Sequence, residues 1–222
     1  MATTRFSDEA RYLLLGRGLR AFVDGYVAVL LPAYLLALGF GIWEVGLLST
    51  ATLLGSALMT LAVGAWGHRV HHRHLLRAAA VVMVLTGLGF AALSNLWPLL
   101  LVAFAGTLNP SSGDVSVFLP LEHARLAHAA DGHARTTLFA RYSLVGALCA
   151  AVGSLAAAVP DHLARLGIGL LPAIRAMFVV YALVGFAIWL LYRRLPAPDP
   201  LLPPPPRGDA RLIQTPLPFT AA

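Results

Sequence analysis

Of 222 residues, 59% are hydrophobic and only 12% charged, with a mean hydropathy of +0.77. Soluble chains run at about 45–50% apolar and about 25% charged, so a water-soluble globule is excluded and an integral membrane protein is expected. One cysteine, Cys149, excludes a disulfide scaffold; the net charge of +6, carried by arginine without a single lysine, sits at the ends of apolar segments, which is the pattern of membrane topology and not of nucleic-acid binding.

A hydrocarbon core about 30 Å thick takes about 20 apolar residues per helix. Six such windows occur, at about 21–39, 43–66, 78–93, 96–119, 138–159 and 171–192. The first follows some twenty residues and leads straight into further spans, so it is a retained helix and not a cleavable signal. At its start Arg20 and Asp24 stand four apart on one helical face. Asp24 is either a proton or substrate group with Arg20 as its counter-charge, or half of an interfacial ion pair that fixes the helix end.

The second span ends in a cationic turn, Gly64-Ala-Trp-Gly-His-Arg-Val-His-His-Arg73. His68, His71, His72 and His74 have partly the spacing of a histidine box from membrane di-iron enzymes, and His123, His128 and His133 lie on the same side. No second box of the same form exists, so a cationic loop without metal is expected, with a histidine-dependent di-iron oxidase as the alternative. The fourth window holds Gly106-Thr-Leu-Asn-Pro-Ser-Ser-Gly-Asp114. Proline and glycine release backbone groups that must find other partners in a membrane, and Asn109, Ser111, Ser112 and Asp114 can supply them. The string is expected to be a discontinuous helix lining a translocation cavity, against the plainer reading of a packing kink through Gly106 and Gly113.

The stretch 122–135 is expected to be a polar loop. Arg141 opens the fifth span and is placed to pair with Asp114, as a gate latch or a static tie. Further along, Gly146, Ala150 and Gly153 form a small-residue face for close helix packing. Fourteen of the sixteen arginines fall on the side of both termini, against Arg165 and Arg175 on the other, which places both termini in the cytoplasm of an inner membrane. Nine of fifteen prolines crowd into 196–222, so this tail is expected to be extended, solvated and disordered, distinct from the bundle of 1–195.

The turn after the second span resembles the signature of the major facilitator superfamily, G-x-x-x-D-R-x-G-R-R/K. Gly64, Arg69 and Arg73 match it; His68 stands in the aspartate place, and His71 and His72 stand where the pattern has glycine and arginine. The Arg20 and Asp24 pair, Leu-Pro-Ala-Tyr-Leu-Leu-Ala-Leu-Gly at 31–39, Glu44-Val-Gly-Leu-Leu-Ser-Thr, and the fourth-span string continuing to Glu122 are similar to bacterial permeases of that family over about 10–195. The resemblance implies an all-α fold: six transmembrane helices, half of a facilitator fold, built as two three-helix inverted repeats around a midplane site. It implies a secondary transporter and not an enzyme, needing no cofactor, with the lipid bilayer and a small-molecule solute as partners, with or without a coupling proton. Arg20, Asp24, Asn109, Ser112, Asp114 and Arg141 would serve the solute or proton pathway, and Gly64, His68, Arg69 and Arg73 the cytoplasmic gate. His68 departs from the latch aspartate, and a histidine there would bring pH into the gate. Since a permease of this family has about twelve spans, the other half would come from a second copy of the chain or a separate six-helix half, unless the chain is a truncated product that does not transport.

Overall fold

The computed structural model describes residues 8–66, 72–106, 108, 118–129 and 132–195. Among them every regular element is a helix: α1 (Asp8–Ala37), α2 (Ile42–Trp66), α3 (His72–Ala92), α4 (Leu96–Ala105), α5 (Phe118–Ala129), α6 (Gly132–Ala156), α7 (Val159–Arg165) and α8 (Leu170–Arg193). Five stretches are long and apolar enough to cross a membrane: α1, α2, α3, α6 with α7, and α8. The fourth expected span is the exception. Its apolar helix α4 has only ten residues and stops where Gly106 turns extended, with φ −82° and ψ 177°. Gly106 is wedged there, since a Cβ on it would lie 2.5 Å from the Val102 carbonyl and 2.7 Å from the Thr86 side chain of α3.

The helices outrun the apolar windows at the arginine-rich end. α1 begins at Asp8, α3 at His72 and α6 at Gly132, because a helix need not stop where charge begins, and arginine, alanine, leucine and glutamate are all good helix formers. The expected polar loop at 122–135 is corrected for the same reason: α5 and the first turn of α6 occupy most of it. At the opposite end, turns are tight. Gly39 takes φ +89° so that the amides of Gly39 and Phe40 can close back on the carbonyls of Leu36 and Leu35, at 3.0 and 3.1 Å, ending α1 in a Schellman motif. Gly167, at φ +94°, ends α7 in the same way on Ala164 and Leu163. Trp43 and Trp97, 82% and 80% exposed, begin α2 and α4 at this end, where an aromatic belt meets the headgroups.

Packing follows an inverted repeat in which α1, α2 and α3 correspond to α4, α6 and α8. α6 lies along α1 and α2 along α4, while α3 lies along α8. The glycines carry the symmetry. A Cβ on Gly153 of α6 would stand 1.9 Å from the Phe22 carbonyl oxygen of α1, and one on Gly55 of α2 would stand 1.9 Å from that of Phe104 in α4. Gly87 on α3 abuts the Ala182 amide of α8, and Gly185 on α8 abuts the Val84 amide of α3. Gly55 and Gly153 are separated by the same interval as Gly87 and Gly185, the spacing a duplicated three-helix unit requires. In a bilayer, where apolar side chains gain nothing by leaving lipid, such backbone approach supplies the association. The small-residue face expected on α6 is therefore the surface that meets α1.

The core is aromatic at the tight-turn end. Tyr34 of α1 and Phe90 of α3 both flank Phe178 of α8, with ring centroids 5.0 and 5.3 Å away. The buried Tyr34 hydroxyl donates to the Phe90 carbonyl at 2.6 Å, with the Leu93 carbonyl 3.1 Å away, covering carbonyls that the end of α3 leaves open. Tyr34→Phe is expected to lower unfolding stability in detergent by about 1 kcal/mol. An unchanged midpoint in denaturant would show that these carbonyls find water instead.

Candidate functional site

An arginine inside an apolar helix must meet a counter-charge, and Arg20, 2% exposed, does so across the bundle. Its Nη1 and Nη2 donate to Oε1 and Oε2 of Glu122 on α5, both at 2.8 Å. Two phenols complete the carboxylate. Tyr142 of α6 donates to Oε2 and Tyr192 of α8 to Oε1, so each oxygen takes one guanidinium and one hydroxyl hydrogen. The Arg20 guanidinium also lies 4.3 Å above the Phe118 ring. Gly16 makes room for the Tyr192 hydroxyl, which passes 2.8 Å from where a Cβ would be. Four helices are tied at one carboxylate, and Glu122 itself is wholly buried.

The expected pairing of Arg20 with Asp24 is thereby corrected. Side chains on a helix lean toward its N-terminus, so Arg20 reaches away from the residue one turn ahead and toward α5. An arginine preceding an acid by four is also the less favourable order for a helical pair. Asp24 stays buried, 9% exposed, with Oδ1 lacking a hydrogen-bond partner. It sits in the positive field of Arg20 and Arg17, and the Arg17 guanidinium lies 5.1 Å over the Tyr142 ring.

The other expected site residues are distributed as follows. Asn109, Ser112, Asp114, His68 and Arg69 lie outside the described residues. Gly64 and Arg73 are not in a loop: Gly64 lies on α2, open on the side where a Cβ would point, and Arg73 begins α3. Arg141 is exposed on α6, and its pairing with Asp114 falls outside the described residues. Of the histidines, His74 is exposed on α3, while the His123 ring of α5 is held edge-on against Phe139 and Tyr142, at 5.1 and 5.2 Å. Among the described residues no three histidine, cysteine or acidic side chains gather.

Glu122, Tyr142 and Tyr192 were missed by the sequence reading, which put Glu122 at the edge of a loop. One signal was available: Arg20 lies at the edge of an apolar window and needs an acid, and Glu122 ends an apolar run just as Asp24 interrupts one. An apolar groove of about 600 Å³ between α1 and α6, lined by Leu15, Gly18, Phe22 and Cys149 among others, is separate from these polar groups.

Residues 13–221 match the family described as the Major Facilitator Superfamily. The chain belongs to the Major Facilitator Superfamily. The match runs into the proline-rich segment, which the sequence resemblance had stopped short of at 195. An uncharacterized membrane protein of Saccharomyces cerevisiae is 30% identical over 187 residues, which cover 81% of this chain and 41% of that protein. The chain therefore spans less than half the length of this relative, and it is a transporter-type membrane protein by family.

Proposed function

We propose that the chain is one six-helix half of a secondary transporter that moves a small solute by alternating access, as a carrier and not an enzyme. Its arginine-rich end faces the cytoplasm, following the positive-inside rule, so both termini and the turn between α2 and α3 lie there. Residues 1–195 form the bundle and 196–222 a cytoplasmic extension. A second six-helix half completes the carrier, and it meets the least covered of the five spans, α2 and α6, of whose apolar windows only 22% is buried.

The observation that carries this reading is Asp24. A carboxylate has only acceptors to offer, and one enclosed in a membrane span with an oxygen that no donor reaches, as Oδ1 of Asp24 is, is placed to take up a proton or a polar group of the solute. Arg20 is committed to Glu122, so it holds the helices around Asp24 and sets the local field. Asn109, Ser112, Asp114 and Arg141 continue the pathway, and Gly64, His68, Arg69 and Arg73 form the gate. Asp24→Asn is expected to abolish accumulation of the solute found by screening sugars, amino acids, organic cations and carboxylates in cells expressing the chain, at unchanged membrane abundance. Undiminished uptake by the variant removes Asp24 from the pathway. If no solute moves even when a second half is supplied, the carrier reading itself fails.

A further inference from the structure

The arginine-rich end bears a second group of charges, on α3 and α8, of which the transport reading uses Arg73 alone. Arg73 and Arg77 stand one turn apart at the start of α3, both half-buried. Nη2 of Arg77 donates to the Arg193 carbonyl at the end of α8, at 3.1 Å, which draws the two helix ends together. The Arg193 guanidinium lies 4.9 Å over the Trp189 ring, and that ring stacks on Phe186 with centroids 5.8 Å apart and planes 19° from parallel. Arg194 follows, exposed.

These cations repel one another: Arg77 lies in the fields of both Arg73 and Arg193. Among the described residues no carboxylate pairs with any of the four. The Nε of Arg77 is buried and has no hydrogen-bond partner. Like charges gathered at the rim of a low-dielectric slab are costly, and a multivalent oxygen anion relieves them while accepting the open donors. The surroundings say which anion. Below the arginines, Phe186, Leu183 and Leu190 of α8 and Val81 and Leu85 of the adjoining α3 are exposed, apolar side chains that only acyl chains or another apolar surface can cover. The Arg193–Trp189–Phe186 stack joins the charged rim to them.

We propose that the arginine-bearing ends of α3 and α8 bind the phosphate headgroup of an anionic membrane lipid, with Arg73, Arg77 and Arg193 on the phosphate and the Trp189–Phe186 shelf against its chains. The lipid neutralises the rim and fixes the depth of α3 and α8 in the bilayer. Basic pockets between helix ends recognise such headgroups, each arginine contributing to the preference over a zwitterionic lipid.

The test uses the full chain in phosphatidylcholine nanodiscs carrying an equal fraction of brominated phosphatidylglycerol or brominated phosphatidylcholine. Tryptophan fluorescence is expected to be quenched more by the brominated phosphatidylglycerol. Trp189→Phe should remove that excess, which assigns it to this site among the four tryptophans. Arg193→Gln should cut the preference about fivefold, and Arg77→Gln with Arg193→Gln should abolish it. Arg193 is exposed, so its single variant keeps the test open if the double variant fails to fold. Equal quenching by the two lipids, or an excess that Arg193→Gln leaves undiminished, overturns the proposal. Loss of the preference on adding inorganic phosphate alone also overturns it, in favour of a free-anion site.

Discussion

Arg20→Met is expected to lower unfolding stability by about 3–5 kcal/mol, while Arg20→Met combined with Glu122→Leu recovers most of that loss. The asymmetry follows from where the charges sit. Removing the guanidinium strands a carboxylate that is wholly buried, still held by the hydroxyls of Tyr142 and Tyr192 but with no positive charge beside it. Two neutral donors cannot replace the bidentate pair, so Glu122 must either take a proton or drag water into the junction of α1, α5, α6 and α8. Removing both charges leaves two phenols facing an apolar side chain, a far smaller penalty, because each lost hydrogen bond is worth about 1 kcal/mol. Denaturant unfolding in mild detergent, followed by circular dichroism on wild type, both single variants and the double variant, measures the coupling. Additive losses would mean that the pair contributes no mutual energy and that Arg20 could have been satisfied by water.

The membrane class, the helical fold and the segment order were legible because bilayer thickness dictates how many apolar residues a span must contain, and that count is local. The match of Gly153 to its partner helix was half legible: a stripe of small residues announces a close contact, but the contact lies with Phe22, more than a hundred residues away, and nothing local names that partner. Arg20 shows the same limit in charge. Its local neighbour at the right helical spacing was Asp24, yet the direction in which side chains lean sent it to Glu122. Tyr142 and Tyr192 were unreadable for a further reason, since each lies in an apolar span where a tyrosine serves equally well as packing. The break of α4 at Gly106 was anticipated from the proline and glycine nearby, and the contact of Gly106 with Thr86 adds what the sequence alone could not, the surface against which the chain turns.

Gly55→Val and Gly153→Val are each expected to destabilise the bundle by at least the roughly 1–3 kcal/mol typical of overpacking, and by similar amounts, while Gly46→Ala and Gly64→Ala change little. At the first two positions a Cβ would stand 1.9 Å from a backbone carbonyl oxygen, far inside contact, and backbone cannot rotate aside as a side chain can. The helices must separate, which costs the dispersion between α1 and α6 or between α2 and α4 along their length. At Gly46 and Gly64 nothing lies within 4 Å of the Cβ position, and alanine is the better helix former, so those substitutions serve as controls on the same helix, α2. Equality of the two valine effects is the sharper part of the expectation. Gly55 and Gly153 are equivalent places in the two repeats, so if the repeats contribute alike, their losses match. A loss at Gly153 with none at Gly55, measured by the same unfolding experiment, would mean that α2 gains little from α4 and that the short helix ending at Gly106 shifts as a unit. In that event the α1–α6 contact, reinforced by Gly25 against the Ala150 carbonyl at a Cβ distance of 2.2 Å, would be the fixed part of the half, and α2 with α4 the part free to move against it.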